Sequence, residues 1–343
     1  MKKLKRTRDR LLRGDKLFFQ VAQLHYEGRW SKTAIAGRLG VSVTHVARLL
    51  REAAAQGIVR ISVTAPRQVA LEDELASKFG LRDVRVIPAP ADPTMLRSHL
   101  GREAARLFCE IAQPGTKIGI GSGRTIYELV SALPQRPTPV SIFPLALIVD
   151  QSTEVRSVDA MTLVTTLWFK FRPDARALRM SMTFPGVPLE KIRSLRTDLF
   201  SPGLVHDLNT YFETADAFFF SASQPRKDSQ IVDITRELGI DVPELRERGA
   251  VGDFLFRPVD AEGVQIDVGV EPFVLGIPLE LLKRASEEGQ KPVVLVAGGK
   301  EKVSIIRAGL AAHYFNTLIT DDETASMLLT RARGQREGEK RGR

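Results

Sequence analysis

Cysteine is almost absent from this sequence of 343 residues, which contains a single one, Cys109. A disulfide framework and a cysteine-rich zinc site are therefore both excluded, and Cys109 is expected to be a small core residue. No run of about 18 apolar residues occurs, so no membrane span is expected. The N-terminus is basic but lacks the apolar core of a signal peptide. We expect a cytoplasmic protein, and we predict neither a metal site nor a cofactor.

Acidic residues are scarce at both ends of the chain, although not in its middle. Residues 1–66 carry 14 lysine or arginine residues against four acids, and residues 331–343 carry six against two. Residues 67–330 hold 30 basic and 35 acidic side chains, a small acidic excess. A basic patch is what attraction to a phosphate backbone requires, so the N-terminal part is expected to meet nucleic acid. The tail, residues 331–343, is low in apolar residues and is predicted to be disordered.

The stretch from Ser31 to Val63 predicts a helix, a tight turn, a second helix and a short β-wing. Ser31 and Ser42 are good N-caps, because a serine hydroxyl accepts a hydrogen bond from a first-turn amide. An alanine at 36, a glycine at 40 and a valine at 46 have the spacing of a helix-turn-helix, whose second helix enters the major groove of DNA. The wing is expected at Ile58, Ile61 and Val63. The competing interpretation is an ordinary hairpin of two helices in a helical core.

The predicted second helix, from Ser42 to Glu52, presents polar side chains toward the groove. Arg48 is suited to read a guanine or to grip a phosphate. The residues expected to contact DNA are Ser31, Lys32, Thr33, Ser42, Val43, Thr44, His45 and Arg48. The sequence Thr64-Ala65-Pro66 closes the wing, so an all-α winged helix-turn-helix domain is predicted over residues 1–66.

Residues 67–330 alternate between apolar runs typical of buried strands and amphipathic runs of helical period. The clearest apolar runs are SIFPLALIV, AFFFSAS, KPVVLVAGG and NTLITDD, and helical runs follow them. This alternation predicts βαβ units and therefore an α/β domain, with a doubly wound, mostly parallel sheet covered by helices on both faces.

A glycine loop follows one predicted strand, in the run KIGIGSGRT at residues 117–125. Glycines at 119, 121 and 123 remove Cβ atoms where the backbone bends, and a helix is predicted from Thr125 to Leu133. Free amides at a helix N-terminus and a nest of successive amides both suit a phosphate. The spacing matches neither a Walker loop nor a dinucleotide fingerprint. A tight turn without any ligand is the competing interpretation.

Two further candidates lie at the C-terminal ends of predicted strands, where ligands of open α/β sheets collect. Asp253 is suited to accept hydrogen bonds from a sugar hydroxyl, or else it caps a turn. Lys302 follows Gly298 and Gly299 and is suited to pair with a second anionic group. Its alternative is a solvated lysine on a helix surface.

Four motifs in order give the chain a family resemblance. They are LHYEGRWSKTAIAGRLGVSVTHVARLL, GIGSGRTIYELVSAL, GAVGDFLFRPVDAEG and VLVAGGKEKVSIIRAGLAAHYFNTLITDD. The chain resembles sugar-binding transcriptional regulators of the SorC type, related to the DeoR group. The resemblance implies an N-terminal winged helix-turn-helix and an effector domain over residues 67–330 that is like the sugar-phosphate isomerases and deaminases. It also implies a homodimer or homotetramer that binds double-stranded operator DNA and responds to a phosphorylated sugar.

The resemblance also assigns effector residues by position. Those expected to hold the phosphate are Gly121, Ser122, Gly123, Arg124 and Thr125, and those expected to contact the rest of the effector are Asp253 and Lys302. The chain departs from the family where FFFSASQP, with Ser221 and Ser223, replaces a glycine-rich run. A second departure is SIFPLALIVDQSTEV, where glycine is usual.

Three functions remain open from the residues alone. The first is a transcriptional switch controlled by a phosphorylated sugar, with no catalytic residue. The second is an isomerase-like or deaminase-like enzyme with a fused DNA-binding head, which needs a general base near the phosphate loop. The histidines that could serve as this base are His99, His206 and His313. None has an acidic residue at a sequence spacing that would indicate a catalytic pair. The third is a DNA-binding protein whose large domain serves only for assembly.

Overall fold

The computed structural model describes residues 16–59, 67–149, 158–178, 186–194, 202–225 and 230–330. The chain divides into two compact units, Met1–Thr64 and Ala65–Arg343. Three predictions lie outside the described residues: the disordered tail, the wing positions Ile61 and Val63, and the end of the wing at residues 64–66. Among the described residues, no helix has the length and apolar character needed to cross a bilayer.

The first unit contains the predicted pair of helices and the turn between them. Its helices are α1 at 16–22, which continues as a π-helical turn over Gln23–Glu27, α2 at Lys32–Leu39 and α3 at Val43–Ala55. The Ser31 hydroxyl accepts from the Ala34 amide and the Ser42 hydroxyl accepts from the His45 amide, each at 3.1 Å. Gly40 ends α2 with a φ of 64°. Both predicted caps and the glycine turn are therefore confirmed, while Ile58 lies in a bend and not in a strand.

The second unit is built on a seven-stranded sheet in which every neighbouring pair is parallel. The described strands of this unit are β1 Asp83–Ile87, β2 Lys117–Ile120, β3 Ser141–Pro144, β4 Ala146–Ile148, β5 Arg176–Ala177, β6 Ala217–Phe220, β7 Ala222–Ser223, β8 Gly252–Phe254, β9 Arg257–Val259, β10 Val274–Gly276, β11 Val293–Val296 and β12 Thr317–Asp321. The strand order in the large sheet is β1-β12-β11-β6-β2-β3-β5.

Helices pack on both faces of this sheet. Those described are α4 Val69–Phe79, α5 Leu96–Ile111, α6 Arg124–Ala132, α7 Ala160–Phe171, α8 Leu189–Ser194, α9 Pro202–Glu213, α10 Gln230–Glu237, α11 Val242–Glu247, α12 Leu279–Glu287, α13 Val303–Ala311 and α14 Asp322–Leu329. Successive side chains of β6 enter opposite cores: Phe218 and Phe220 belong to one, and Ala217 and Phe219 to the other. Because side chains alternate across a strand, both faces are covered, and the doubly wound α/β fold is confirmed.

Two apolar runs that were predicted to be single strands are each divided between two sheets. SIFPLALIV forms β3 in the large sheet and β4, which pairs antiparallel with β10. AFFFSAS forms β6 in the large sheet and β7, which joins an antiparallel sheet with β8 and β9. Burial on both faces makes such runs uniformly apolar, so the pattern does not reveal where a strand changes partner. The change at Ser221 brings Ser223 opposite Asp253.

Candidate functional site

The glycine loop joins β2 to α6, which begins at Arg124 and ends at Ala132, one residue earlier at each end than predicted. Gly123 has a φ of 110°, and a Cβ built on it would lie 2.9 Å from the Ser221 hydroxyl oxygen. A Cβ built on Gly121 would lie 2.9 Å from the Cβ of Phe220. Close approach to β6 and its continuation therefore requires glycine at both positions.

Two of the loop amides are already bonded within the protein. The Gly121 amide donates to the Phe219 carbonyl and the Gly123 amide donates to the Val158 carbonyl, each at 2.8 Å. Gly121 is buried and does not line the cleft described below. No side chain among the described residues caps α6. The loop glycines therefore fix the shape of the backbone that leads into the first turn of α6.

A cleft of about 280 Å³ opens beside the start of α6. It lies where β2, β6 and β11 end, since residues 122, 221 and 297 line it within two residues of the ends of those strands. Six of the seven predicted effector residues line this one cleft: Ser122, Gly123, Arg124, Thr125, Asp253 and Lys302. Residues far apart in the sequence thus meet at the C-terminal edge of the sheet.

Asp253 is the most unusual group in the cleft. It is 5% exposed, and its Oδ1 accepts no hydrogen bond from the described residues. Burial raises the pKa of this carboxyl to about 6, although the Ser223 side chain, the charge of Lys302 and the Phe256 backbone act to lower it. A buried acceptor without a donor is costly. A ligand that supplies a hydroxyl donor would remove this cost.

Lys302 stands on the same side of the cleft as the small β7–β8–β9 sheet. Its Nζ donates to the Ala222 carbonyl at 3.0 Å, and its side chain is half-buried. The residue ends a short 3₁₀ turn, Lys300–Lys302, that precedes α13. It is therefore held against β7 and is not the solvated surface lysine of the alternative interpretation.

The second glycine loop, Gly298-Gly299, is held by its own neighbours. The Gly299 amide donates to the Asp321 carboxylate and to the Thr324 hydroxyl, both at 2.8 Å. Asp321 is 1% exposed and also accepts from the Thr324 amide at the start of α14. A Cβ built on Gly298 would lie 2.4 Å from Asp321 Oδ2. This loop shapes the wall of the cleft, and its bonded Gly299 amide is not offered to a ligand.

The structure adds residues that the sequence did not nominate. Arg97 lines the cleft from the first turn of α5 and is exposed. Ser221 donates its hydroxyl to the Ser122 carbonyl at 3.2 Å, and Gln224 donates to the Glu301 carbonyl. Ser221 follows β6 directly, so the rule that ligands collect at strand ends points to it. Arg97 begins a helix and carries no comparable signal in the sequence.

The exposed face of the helix-turn-helix carries the residues predicted to contact DNA. Ser31, Lys32, Thr33, Ser42, Val43, Thr44 and Arg48 are exposed, and His45 is half-buried. The opposite side of α3 buries Val46, Leu49, Leu50 and Ala53. Arg48 bonds the Nδ1 of His45 at 3.1 Å. The exposed side of α3 therefore has the length and polarity of a groove-reading surface.

Comparison with known proteins identifies the family. Residues 64–330 match the sequence model of the family described as "Putative sugar-binding domain". The chain belongs to this family. It is 27% identical over 319 residues to the sorbitol operon regulator of Klebsiella pneumoniae, a match that covers 92% of this chain and 98% of that protein. The deoxyribonucleoside regulator of Bacillus subtilis is 26% identical over 331 residues, with 91% and 97% covered.

A solved structure supports the same membership in the sugar-binding family. The full-length sorbitol operon regulator SorC from Klebsiella pneumoniae matches with a TM-score of 0.67 at 26% identity, over 92% of this chain and 98% of that chain. The resemblance to SorC-type sugar-binding transcriptional regulators is thereby confirmed, and this family member is a regulator of transcription in sugar metabolism.

Proposed function

We propose that the N-terminal unit binds operator DNA and that a phosphorylated sugar in the cleft controls this binding. The observation that carries the proposal is the cleft itself. It joins the uncapped first turn of α6 to the cations Arg97, Arg124 and Lys302 and to the buried carboxyl of Asp253. An effector with one anionic end and one hydroxyl-bearing end suits both sets of groups.

The anionic end belongs at the start of α6. The first-turn amides of a helix carry partial positive charge and bind phosphate readily. Thr125 adds a hydroxyl there, and the side chains of Arg97 and Arg124 add formal charge. The rest of the effector belongs beside Asp253, whose unbonded Oδ1 is suited to accept from a hydroxyl. Sorbitol and deoxyribonucleosides in the names of two relatives support a sugar-like effector.

The N-terminal unit is proposed to read DNA through α3, with Val43, Thr44, His45 and Arg48 facing the bases. Ser31, Lys32, Thr33 and Ser42 contact phosphates around the groove. A homodimer or homotetramer places two N-terminal units on an operator with two-fold symmetry. The effector changes DNA binding only if it binds more tightly to one arrangement of the two N-terminal units than to another.

We propose that the cleft regulates and does not catalyse. None of the three histidines considered as bases, His99, His206 and His313, lines the cleft. Among the described residues, the carboxylates that line it are Asp253 and Glu301. Incubating the protein with each phosphate used below and following it by phosphorus NMR tests this point. Formation of a new phosphorylated product would contradict it.

A thermal-shift experiment tests the effector site. The full chain is titrated with three-, five- and six-carbon sugar or polyol phosphates and with their unphosphorylated counterparts. At least one phosphate is expected to raise the melting temperature, because a ligand that binds only the folded state stabilises it. Thr125→Asp is expected to weaken this response at least tenfold, since it puts a carboxylate where the phosphate binds.

The substitution and its control are matched in charge and in position on a helix. A carboxylate in the first turn favours the helix itself, so Thr125→Asp does not disrupt α6. Gly203→Asp places the same charge in the first turn of α9, where a built Cβ meets nothing within 4 Å. The control should respond like the wild type. Equal responses from Thr125→Asp and the wild type, or no response to any phosphate, would contradict the proposed site.

A further inference from the structure

Helix α3 carries an arginine and a histidine whose side chains are hydrogen-bonded to each other. Arg48 and His45 are three positions apart, so they are neighbours on the helix surface, and Arg48 Nη2 lies 3.1 Å from His45 Nδ1. A guanidinium has N–H donors and no acceptor. Arg48 therefore donates and Nδ1 of His45 accepts. The bond requires a neutral imidazole ring whose hydrogen is on Nε2.

The two side chains occupy different positions around α3. Residues of an α-helix follow one another at about 100° around its axis, so Arg48, two positions from both Val46 and Leu50, lies on the side away from them. Val46 and Leu50 are buried, and Arg48 is exposed. His45 is half-buried and lies four positions before the buried Leu49, at the edge of the buried face. A partly packed ring thus holds a guanidinium that is on the exposed side.

The backbone below the ring is also held in place. The His45 amide donates to the Ser42 hydroxyl at 3.1 Å, which is the N-cap of α3. An arginine side chain is long and loses much rotamer freedom when it is fixed. A bond that restricts the guanidinium before DNA binds reduces the ordering cost that remains to be met on binding. The contact between His45 and Arg48 therefore preorganises Arg48.

The bonded guanidinium suits one kind of base. Its bond to His45 uses one N–H group, and the others remain to donate to DNA. In the major groove guanine presents two neighbouring acceptors, N7 and O6, which arginine binds with two parallel N–H groups. Adenine presents one acceptor and one donor there, and Arg48 has no acceptor to meet that donor. Guanine is therefore the base that Arg48 matches.

We propose that His45 is a positioning residue that holds Arg48 for recognition of a guanine in each half of the operator. The inference rests on the proposed function, because it requires α3 to lie in the major groove. It goes further in naming the base and in assigning His45 a role that is exerted through Arg48.

The test uses the full chain and a duplex that the wild-type protein selects from a random DNA library. Affinity is measured by fluorescence anisotropy at fixed salt. Each guanine of the duplex is replaced in turn by 7-deazaguanine, which pairs normally with cytosine but lacks the N7 acceptor. At one position in each half of the site, the replacement is expected to weaken wild-type binding about fivefold. Arg48→Ala should bind the two duplexes equally.

A double-mutant cycle separates positioning from an independent role of His45. His45→Ala removes the ring but keeps the backbone amide that caps the helix. It is expected to weaken binding to the selected duplex about fivefold in the wild-type background and to have no further effect in Arg48→Ala. His45→Asn places a carboxamide oxygen where Nδ1 was, so the acceptor remains. This variant should keep the wild-type affinity and the sensitivity to 7-deazaguanine.

Arg51→Ala is the matched control for the cycle. Arg51 carries the same charge as Arg48 and is exposed on the same helix. In the part of the chain that the structure describes, the His45 ring is bonded to Arg48 and not to Arg51. The effects of His45→Ala and Arg51→Ala on affinity should therefore add.

The outcomes separate this inference from the proposed function. If His45→Ala weakens binding equally with and without Arg48, or if His45→Asn behaves like His45→Ala, the positioning role is overturned while α3 remains the reading helix. If no 7-deazaguanine position depends on Arg48, the assignment of guanine is overturned. If no duplex is selected, or if Arg48→Ala binds like the wild type, both the inference and the proposed contact of Arg48 with DNA are overturned.

Discussion

The sharpest prediction concerns Asp253, which should make the ligand-free protein less stable at neutral pH. Its pKa is raised from 3.8 to about 6 by burial. Above pH 6 the carboxyl is charged in the folded and the unfolded state, and the folded state bears the full cost of burying that charge. About two pKa units correspond to roughly 3 kcal/mol of unfolding free energy. Asp253→Asn removes the charge with little change of shape and should stabilise the protein by up to this amount at pH 7.

The sign of the effect reverses the usual behaviour of a carboxylate. As pH falls through about 6, the folded state takes up the proton first, so the destabilising contribution disappears and is gone below about 4. Urea unfolding of wild type and Asp253→Asn at pH 7 and at pH 4.5 measures the difference. The stability advantage of the variant should be largest at pH 7 and should shrink at pH 4.5.

The same variant tests the binding role of the residue. Asp253→Asn is expected to reduce the thermal response to the phosphate that stabilises the wild type, because the amide has one acceptor oxygen and adds a donor. Asp174→Asn is the control, since Asp174 is exposed and outside the cleft. It should change neither stability nor response. The reasoning about burial fails if Asp253→Asn is no more stable than wild type at pH 7, or if its advantage does not depend on pH.

Two further predictions concern the N-terminal unit. Arg48→Ala should weaken binding to a selected operator duplex by about 1–3 kcal/mol, measured by fluorescence anisotropy at fixed salt; unchanged affinity would remove Arg48 from the interface. Ser42→Ala should lower the unfolding free energy by about 1 kcal/mol, because the His45 amide loses its acceptor. Urea unfolding followed by far-UV circular dichroism checks this, and an unchanged midpoint would mean that water replaces the cap.

The helix-turn-helix was predictable because its signals are local. Ser31, Gly40 and Ser42 each act within a few residues, so caps and turn can be read from the sequence and are present in the structure. The glycine loop was predictable for the same reason, with α6 beginning one residue earlier than expected. Local signals did not reveal that two of the loop amides are hydrogen-bonded within the protein. Gly121 and Gly123 donate to backbone carbonyls at residues 219 and 158, which are distant in the sequence.

The divided strands were not predictable, because the information lies in their partners. β6 and β7 form one apolar run in the sequence, yet they pair with β11 and β8, strands of different sheets. That division brings Ser221 and Ser223 into the cleft. Arg97 was missed for a related reason. It lies in the first turn of α5, which follows no glycine loop, and the packing of α5 against α6 and beside β11 and β12 brings it to the site.

The β8–β9 hairpin departs most clearly from what its sequence would predict, and both departures cost free energy of folding. Leu255 and Phe256 hold left-handed backbone at a cost of about 1–3 kcal/mol each, and Asp253 holds a buried charge beside them. Functional sites are where sequence-level consistency is expected to break down. A hydroxyl bonded to Oδ1 of Asp253 would offset the cost of that buried charge. An effector that supplies this hydroxyl would bind more tightly to the arrangement in which the Asp253 carboxyl is buried, and such differential affinity is what a switch requires.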